Sequence, residues 1–576
     1  MPNNRLRETF LSTSSSPTVT GSHLLAQALQ LEGIRNIFML VGDHILPALD
    51  VMSDYDFRFI DTRHEQAAMH MADAWARITG QPGVTMVTTP GFANVIPSLA
   101  YAMSSESPVL SISGSAELAN IDRGIMQELD QINMAKPVTK GAWLVRDARR
   151  IPEYVALALR TAYTGRWGPV HLTIPIDIQE QVVDNSGIPL YTPQQSRGRA
   201  PVAADPAQIV EAIGLLRQAK KPVIIASNPA AYDDGSTAAL ERFLETTRVP
   251  LMNDESARGI VSDDHPYCMG FFDLSQNQAA NLIKEADLVL ILGKKLDFSV
   301  NYGQPPLLPA DAKLIQVDPS PAELGRNRGV DIAMLGDIRV IVEQLADEAT
   351  KHTWTDLPWL DALRAKRAAQ KEWFESYATM DTPIHPMLVH KTLEGFLKPE
   401  DTIVFDGGDY GHFGRGFHQA RSPRSWFYLP NLGMLGSALP TAMAAKLARP
   451  HTRVVAVSGD GAFGFNGMEL DTAVRHGLDV VTVVGNDAGW GIDKNIQEQF
   501  YGRTVAADLS PLRYDIVAQG LGAHGEYVEK AEELSPALER AFDAGKAALV
   551  NVRIKNVMSL RAQAAVAKRK SGGSSY

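Results

Sequence analysis

Two aspartates in the last third of the chain end apolar runs. Asp460 follows Val454-Val-Ala-Val-Ser-Gly459 and precedes Gly461. Asp487 follows the run from Val480 to Val484 and Gly485-Asn486, and precedes Ala488-Gly489. Such β-branched runs ending in glycine read as strands of an open parallel sheet, and Met468 to His476 between them carries a helical pattern. A strand–helix–strand unit of this kind presents polar ligands at the carboxyl ends of its strands, where parallel sheets hold their ligands. Carboxylates are hard oxygen donors suited to Mg²⁺ with a polyphosphate, and the glycines let backbone N–H groups approach phosphate oxygens. The competing reading is an ordinary turn with an exposed aspartate; the second ligand-bearing strand end weighs against it.

The same alternation of strand and helix patterns positions other polar residues. Ile37 to Val41 leads into Gly42-Asp43-His44. Arg63-His-Glu65-Gln reads as a strand end entering a helix, and Val84 to Thr88 ends in Thr89-Pro-Gly-Phe-Ala-Asn94. Further strands are expected at Val223–Ala226, Leu288–Leu292, Leu314–Asp318, Thr402–Phe405 and Leu549–Val552. Asp406-Gly-Gly-Asp409 sits at another strand end, a candidate phosphate cradle or a plain glycine-rich turn. The division expected is a disordered tail over 1–18, a first α/β domain over 19–187, a linker at 188–205, a middle α/β domain at 206–346, a helical linker at 347–382, a third domain at 383–557 and a tail from 558 to 576.

At 576 residues the chain exceeds a single core. Its net charge of −11 and lack of long basic runs argue against nucleic acid as a partner. Cys268 is the one cysteine, which excludes a disulfide framework and a thiolate metal site. No apolar run reaches membrane-spanning length, so no membrane is expected and the cytoplasm is the default compartment.

The Gly459-Asp-Gly461 segment, followed some two dozen residues later by Asn486-Asp487, resembles the thiamine diphosphate motif, in which a second asparagine stands where Asp487 does. The Arg63-His-Glu-Gln-Ala-Ala segment with Thr89 to Asn94 is similar to the pyrimidine-binding domain of the same superfamily. The resemblance implies three doubly wound parallel-sheet α/β domains: pyrimidine-binding, middle and diphosphate-binding. It implies that Asp460, Asp487 and the Gly489 carbonyl hold Mg²⁺ against the diphosphate. Gly408, Asp409, Gly461, Ala462, Trp490 and Gly491 would line the cofactor, with Pro90 and Asn94 on its pyrimidine side. The Gly433 carbonyl would accept the cofactor's amino group, and Leu435 would bend the cofactor into a V. Glu65 would move a proton at the aminopyrimidine ring; a glutamate capping a helix start is the alternative. His44 and Gln127 sit in segments resembling benzaldehyde lyase and its relatives, where a histidine and a glutamine carry protons at the reacting carbon; a structural role for each stays open. Phe92 either closes the pocket or packs in the core. In this superfamily Glu65 and Asp460 meet across a subunit interface, which implies a homodimer or homotetramer.

The segment Trp490-Gly-Ile-Asp493-Lys resembles one bacterial branch of the 2-hydroxyacyl-CoA lyases, which carry glutamate in a similar setting. Asp493 would take the substrate hydroxyl proton; a solvent-facing aspartate at a helix start is the alternative. The middle domain lacks the glycine cluster of FAD binders, which disfavours FAD. It remains a candidate for ADP or CoA, with Arg258, Lys294 and Lys295 as loop cations toward phosphate groups. The basic tail from Arg561 to Lys570 either covers a CoA arm or is disordered. The expected activity is reversible cleavage of a 2-hydroxyacyl-CoA to formyl-CoA and an aldehyde or ketone. The alternatives are an acetolactate synthase-like or benzaldehyde lyase-like carboligase acting on 2-oxo acids or aldehydes, and a non-catalytic superfamily member.

Overall fold

Runs of β-branched residues form the central strands of every sheet, buried on both faces because helices cover both sides. The computed structural model describes residues 18–198 and 201–571; the disordered tail expected before residue 19 falls, but for Thr18, outside them. The chain divides into two compact units at about residue 200.

The first unit carries one six-stranded sheet in the order Arg58–Asp61, Asn36–Met39, Gly83–Val87, Val109–Ser115, Val170–Pro175 and Ala142–Leu144. All its neighbours pair in parallel. Its core packs Leu24, Leu25 and Leu29 of the helix Gly21–Leu31 against Ile37, Met86, Ile112 and Leu172.

The second unit carries two six-stranded parallel sheets. The middle one runs Cys268–Phe271, Leu251–Asn253, Pro222–Ala226, Leu288–Leu292, Lys313–Asp318 and Ile332–Leu335. The other runs Trp426–Phe427, Thr402–Phe405, Val454–Gly459, Val481–Asn486, Ala548–Arg553 and His524–Val528. The expected architecture of three doubly wound sheets is therefore present. The helix Pro358–Glu375 occupies the Trp-containing connector between these two sheets in sequence. The segment after Met558, for which disorder was one expectation, forms a helix over Leu560–Lys570. No helix among the described residues is long and apolar enough to cross a membrane.

Each sheet has the same winding. The chain adds strands on one side of a first strand, then returns to add the rest on the other side. The switch points fall between Asn36–Met39 and Gly83–Val87, between Pro222–Ala226 and Leu288–Leu292, and between Thr402–Phe405 and Val454–Gly459. Ligands of open α/β sheets bind outside the carboxyl ends of the strands at such points.

Candidate active site

At the switch point of the last sheet, strand Thr402–Phe405 delivers Asp406. Its buried carboxylate accepts from the backbone N–H groups of Gly407 (3.0 Å), Gly436 (3.1 Å) and Ala438 (3.2 Å). Burial nevertheless pushes its pKa up to about 6. This carboxylate ties the loop after the strand to the loop carrying Gly433 and Leu435. Gly408 follows with φ +93° and open space where a side chain would stand. The left-handed region makes glycine the fitting residue there.

The next two strands lie side by side with Gly459 opposite Gly485. Asp460 and Asp487 therefore leave neighbouring strand tips, and their side chains are in hydrogen-bonding contact. Burial, then the charge of Asp460, pushes the Asp487 pKa up to about 7, and burial raises Asp460 as well. Such a pair shares a proton or takes a cation. Asp460 is 1% exposed, and its Oδ2 has no hydrogen-bond partner. A buried carboxylate oxygen without a donor, beside a second carboxylate, fits a hard divalent cation. No group of three or more His, Cys, Asp or Glu side chains suited to a metal occurs among the described residues. The rest of a coordination shell would come from backbone carbonyl, water or phosphate oxygens. Gly489 directs its N–H to Asp460. A Cβ on Gly491 would stand 2.5 Å from Asp487 Oδ2, and one on Gly461 would stand 2.7 Å from the Trp490 ring.

These residues enclose a cavity of about 280 Å³. Every residue of this unit assigned above to the cofactor or the metal lines it: Gly408, Asp409, Gly433, Leu435, Asp460, Gly461, Ala462, Asp487, Gly489, Trp490 and Gly491. Asp493 lines it too, from the first turn of the helix Gly491–Tyr501, beside Ile492. Leu435 packs over Gly407, where a Cβ would come within 2.5 Å of its methyl group. Asp409 accepts from Asn495 Nδ2 (2.8 Å) and from the Ser559 N–H (3.0 Å), and burial raises its pKa.

The cavity wall also holds residues that no motif announced. His412 Nε2 lies 2.9 Å from the Tyr428 hydroxyl. Burial holds the His412 pKa well below its usual range, so the ring is neutral. Behind them the fully buried Arg415 donates to Asp273 Oδ2 and pairs with Glu255, both at 2.7 Å. Arg561 joins Asp273 at 2.8 Å and so anchors the helix Leu560–Lys570. Lys555 lines the cavity with its ammonium paired to Asp381.

The first unit builds a second cluster at its own switch point. Glu65 is the first residue of the helix Glu65–Thr79 and accepts from Asn94 Nδ2 at 3.0 Å. A Cβ on Gly91 would come 2.9 Å from Glu65 Oε1, so only glycine lets the two helices meet there. Pro90 stands in the first turn of the helix Thr89–Ser104. His44 Nδ1 lies 3.2 Å from Thr89 Oγ1, and burial lowers its pKa. Phe92 is fully buried against His171, at 4.2 Å between ring centroids, and so packs in the core. Gln127, expected beside His44, is exposed, with φ +63°. The glutamine that reaches this cluster is Gln131, four residues later and the first residue of a helix. It donates to Thr89 Oγ1 (3.0 Å) and to the Gly114 carbonyl (3.1 Å), and it accepts from Thr173 Oγ1 (2.9 Å). Asp130 caps the helix that begins at Gln131, and the capping aspartate was the available signal.

The middle sheet corrects another expectation. Arg258 and Lys294, read as loop cations free for phosphate, are 5% and 4% exposed. Arg258 pairs with Asp263 and donates to the Arg415 and His418 carbonyls. Lys294 pairs with Asp254 (2.9 Å) and Asp297 (3.1 Å), filling the switch point next to Ser227, which donates to Asp254 at 3.0 Å. Lys295 is half-buried. A charge this far from water is found paired, and both are.

Family models for the N-terminal TPP binding domain, the central domain and the C-terminal TPP binding domain of thiamine pyrophosphate enzymes match residues 19–134, 209–345 and 406–552. The acetolactate synthase large subunit IlvG of Mycobacterium tuberculosis is 34% identical over 548 residues, covering 94% of this chain and 97% of that protein. Human 2-hydroxyacyl-CoA lyase 2 is 31% identical over 550 residues, covering 89% and 86%. A probable acetolactate synthase large subunit of Methanocaldococcus jannaschii is 29% identical, covering 93% and 92%. Two carboxylates and a glycine cradle at one switch point, within three matched domains, make this chain a thiamine-pyrophosphate-dependent enzyme of the acetolactate synthase and 2-hydroxyacyl-CoA lyase family.

Proposed function

We propose that the enzyme is a carbon–carbon lyase and carboligase using thiamine diphosphate with Mg²⁺, and that it cleaves a 2-hydroxyacyl-CoA reversibly to formyl-CoA and an aldehyde or ketone. The observation carrying this reading is Asp493 in the wall of the cavity that contains Asp460, Asp487, Gly433 and Leu435. A carboxylate there can take the proton of a substrate hydroxyl as the adjoining carbon–carbon bond breaks. The helix Leu560–Lys570 supports it further. Arg569 stacks 4.3 Å from Phe500 and Lys570 donates to Gln499 at 2.9 Å, which places basic residues at the last turn of the helix whose first turn carries Asp493. The likeness to the human lyase points the same way.

When bound, thiamine diphosphate supplies a carbon acid whose conjugate base adds to a carbonyl and delocalises the charge left by carbon–carbon cleavage. In this reading Asp460, Asp487 and Gly489 hold the metal ion, and Gly408, Asp409, Gly461, Ala462 and Gly491 shape the diphosphate cradle. The Gly433 carbonyl would accept from the cofactor's amino group, and Leu435 would pack against the cofactor. Glu65, oriented by Asn94, holds and returns a proton at the pyrimidine ring. His44, braced through Thr89 by Gln131, is a second proton carrier. A homodimer or homotetramer would cover the exposed Ile121, Met126 and Leu129, and with them the stretch that carries Gln127. The filled switch point of the middle sheet supports a middle domain without FAD, and it leaves the ADP or CoA reading of that domain without Arg258 and Lys294.

A second reading, an acetolactate synthase-like or benzaldehyde lyase-like carboligase, is favoured by the slightly higher identity to the mycobacterial protein. Purified enzyme with thiamine diphosphate and Mg²⁺, offered 2-hydroxyacyl-CoAs, pyruvate, benzoin and oxalyl-CoA, separates them. Formyl-CoA release supports the first reading, acetolactate or benzaldehyde formation the second. No turnover of any of them would sink both.

A further inference from the structure

Resting on the metal and cofactor reading above, we propose that the Asp460–Asp487 pair is a divalent cation site in its own right, filled before the diphosphate arrives and without its help. Two carboxylates leave adjacent strand tips held in register by the pairing of Gly459 with Gly485. One buried oxygen, Asp460 Oδ2, has no donor from the protein. Two cations of this region turn elsewhere: Lys494 to Asp508 at 2.6 Å, and the cavity-lining Lys555 to Asp381. Asp409 and Asp493 face the same cavity and add to its negative potential. With an amide at position 487 the strand tips would carry one negative charge, and a divalent ion would need phosphate oxygens to balance it. With Asp487 both tips end in carboxylates, which together can balance a divalent ion unaided.

The ligand chemistry is that of a small, hard cation of Mg²⁺ or Mn²⁺ size, since both donors are carboxylate oxygens. Water would complete its shell, and a diphosphate would later displace that water. Beside Asp487 there is no room for a further side-chain carbon: a Cβ on Gly491 would stand 2.5 Å from its Oδ2. The order of loading follows, with the cation first and the organic cofactor docking onto it.

The test uses full-length protein stripped of metal and cofactor, titrated with Mn²⁺ while the free-ion signal is followed by electron paramagnetic resonance. The wild type should bind one Mn²⁺ per chain with no thiamine diphosphate present, and excess Mg²⁺ should displace it. Asp487→Asn, nearly isosteric, should bind Mn²⁺ alone at least tenfold more weakly and regain affinity when thiamine diphosphate is added. That recovery also certifies that the variant is folded. If the wild type binds Mn²⁺ only with thiamine diphosphate present, the inference fails and the cofactor reading stands. If it binds in neither case, the metal assignment itself falls. Equal affinity of wild type and Asp487→Asn for Mn²⁺ alone would also overturn the inference.

Discussion

Asn94 Nδ2 donates to Glu65 Oε2 at 3.0 Å, joining the first turn of one helix of the first unit to the second turn of another. The bond leaves the other carboxylate oxygen available to a ligand while fixing the plane of the group. Glu65→Gln keeps the shape and removes the exchangeable proton. Turnover should fall by roughly 10²–10⁴-fold, the usual worth of a general acid–base group. Thermal melts should stay close to wild type. Asn94→Ala should cost less, because the carboxylate remains. Near-normal turnover of Glu65→Gln would remove that residue from the mechanism.

The gap between Gly491 and Asp487 tolerates no methyl group. Gly491→Ala should therefore twist Asp487 out of its place and weaken binding of thiamine diphosphate with Mg²⁺ by an order of magnitude or more, a misplacement cost typical of preorganised sites. Isothermal titration calorimetry gives the affinity directly. Circular dichroism should be unchanged, because Gly491 lies at a helix start, outside the sheet core.

Asp493→Ala should slow single-turnover cleavage of a 2-hydroxyacyl-CoA by about 10²-fold or more. Cofactor affinity should hold within a factor of about two, since Asp493 is exposed and lines the cavity without a bond to the Asp460–Asp487 pair. Equal losses in both quantities would mark it as part of the cofactor cradle and not a proton acceptor.

His171 is fully buried between Ser111 Oγ (3.2 Å) and Thr173 Oγ1 (2.9 Å), and burial depresses its pKa to about 3. The unfolded chain holds this proton near pH 6.5. Stability from the neutral ring is thus complete above pH 6.5 and is lost as pH falls toward 3. Each pH unit in that window costs about 1.4 kcal/mol from this one group, or about 2 kcal/mol by pH 5. His171→Gln should lower stability at pH 7 yet flatten the slope between pH 6.5 and 4. Urea melts at several pH values measure it, and an unaltered slope would contradict the assignment.

The strand tips were legible in the sequence because a buried parallel strand is a run of β-branched residues, and Asp460 and Asp487 each follow such a run. The lining of the cavity by Gly408, Gly433, Leu435, Trp490 and Asp493 came from resemblance to a motif, and all five do face one cavity. Lys294 was misjudged because sequence shows charge but not exposure. Its partner Asp297 stands three residues on, and Asp254 comes from another strand end that only the fold brings near. Gln127 and Gln131 stand four residues apart, on either side of the capping Asp130, and the resemblance alone does not say which of the two the turn before that helix turns outward. His412 and Tyr428 are linked only because the helix Asp409–Phe417 and the short strand Trp426–Phe427 lean together over the cavity. No local pattern encodes that meeting.

Gly459 faces Gly485 across a ladder of backbone bonds, so the geometry of the two aspartates is independent of how many residues separate them. Relatives could lengthen or shorten the turn at Leu478–Asp479 with little effect on the metal-binding geometry. A single residue inserted inside Val481–Asn486 would rotate Asp487 to the opposite side of the sheet. Searches for distant kin are therefore better anchored on the two strand tips than on a fixed count between them.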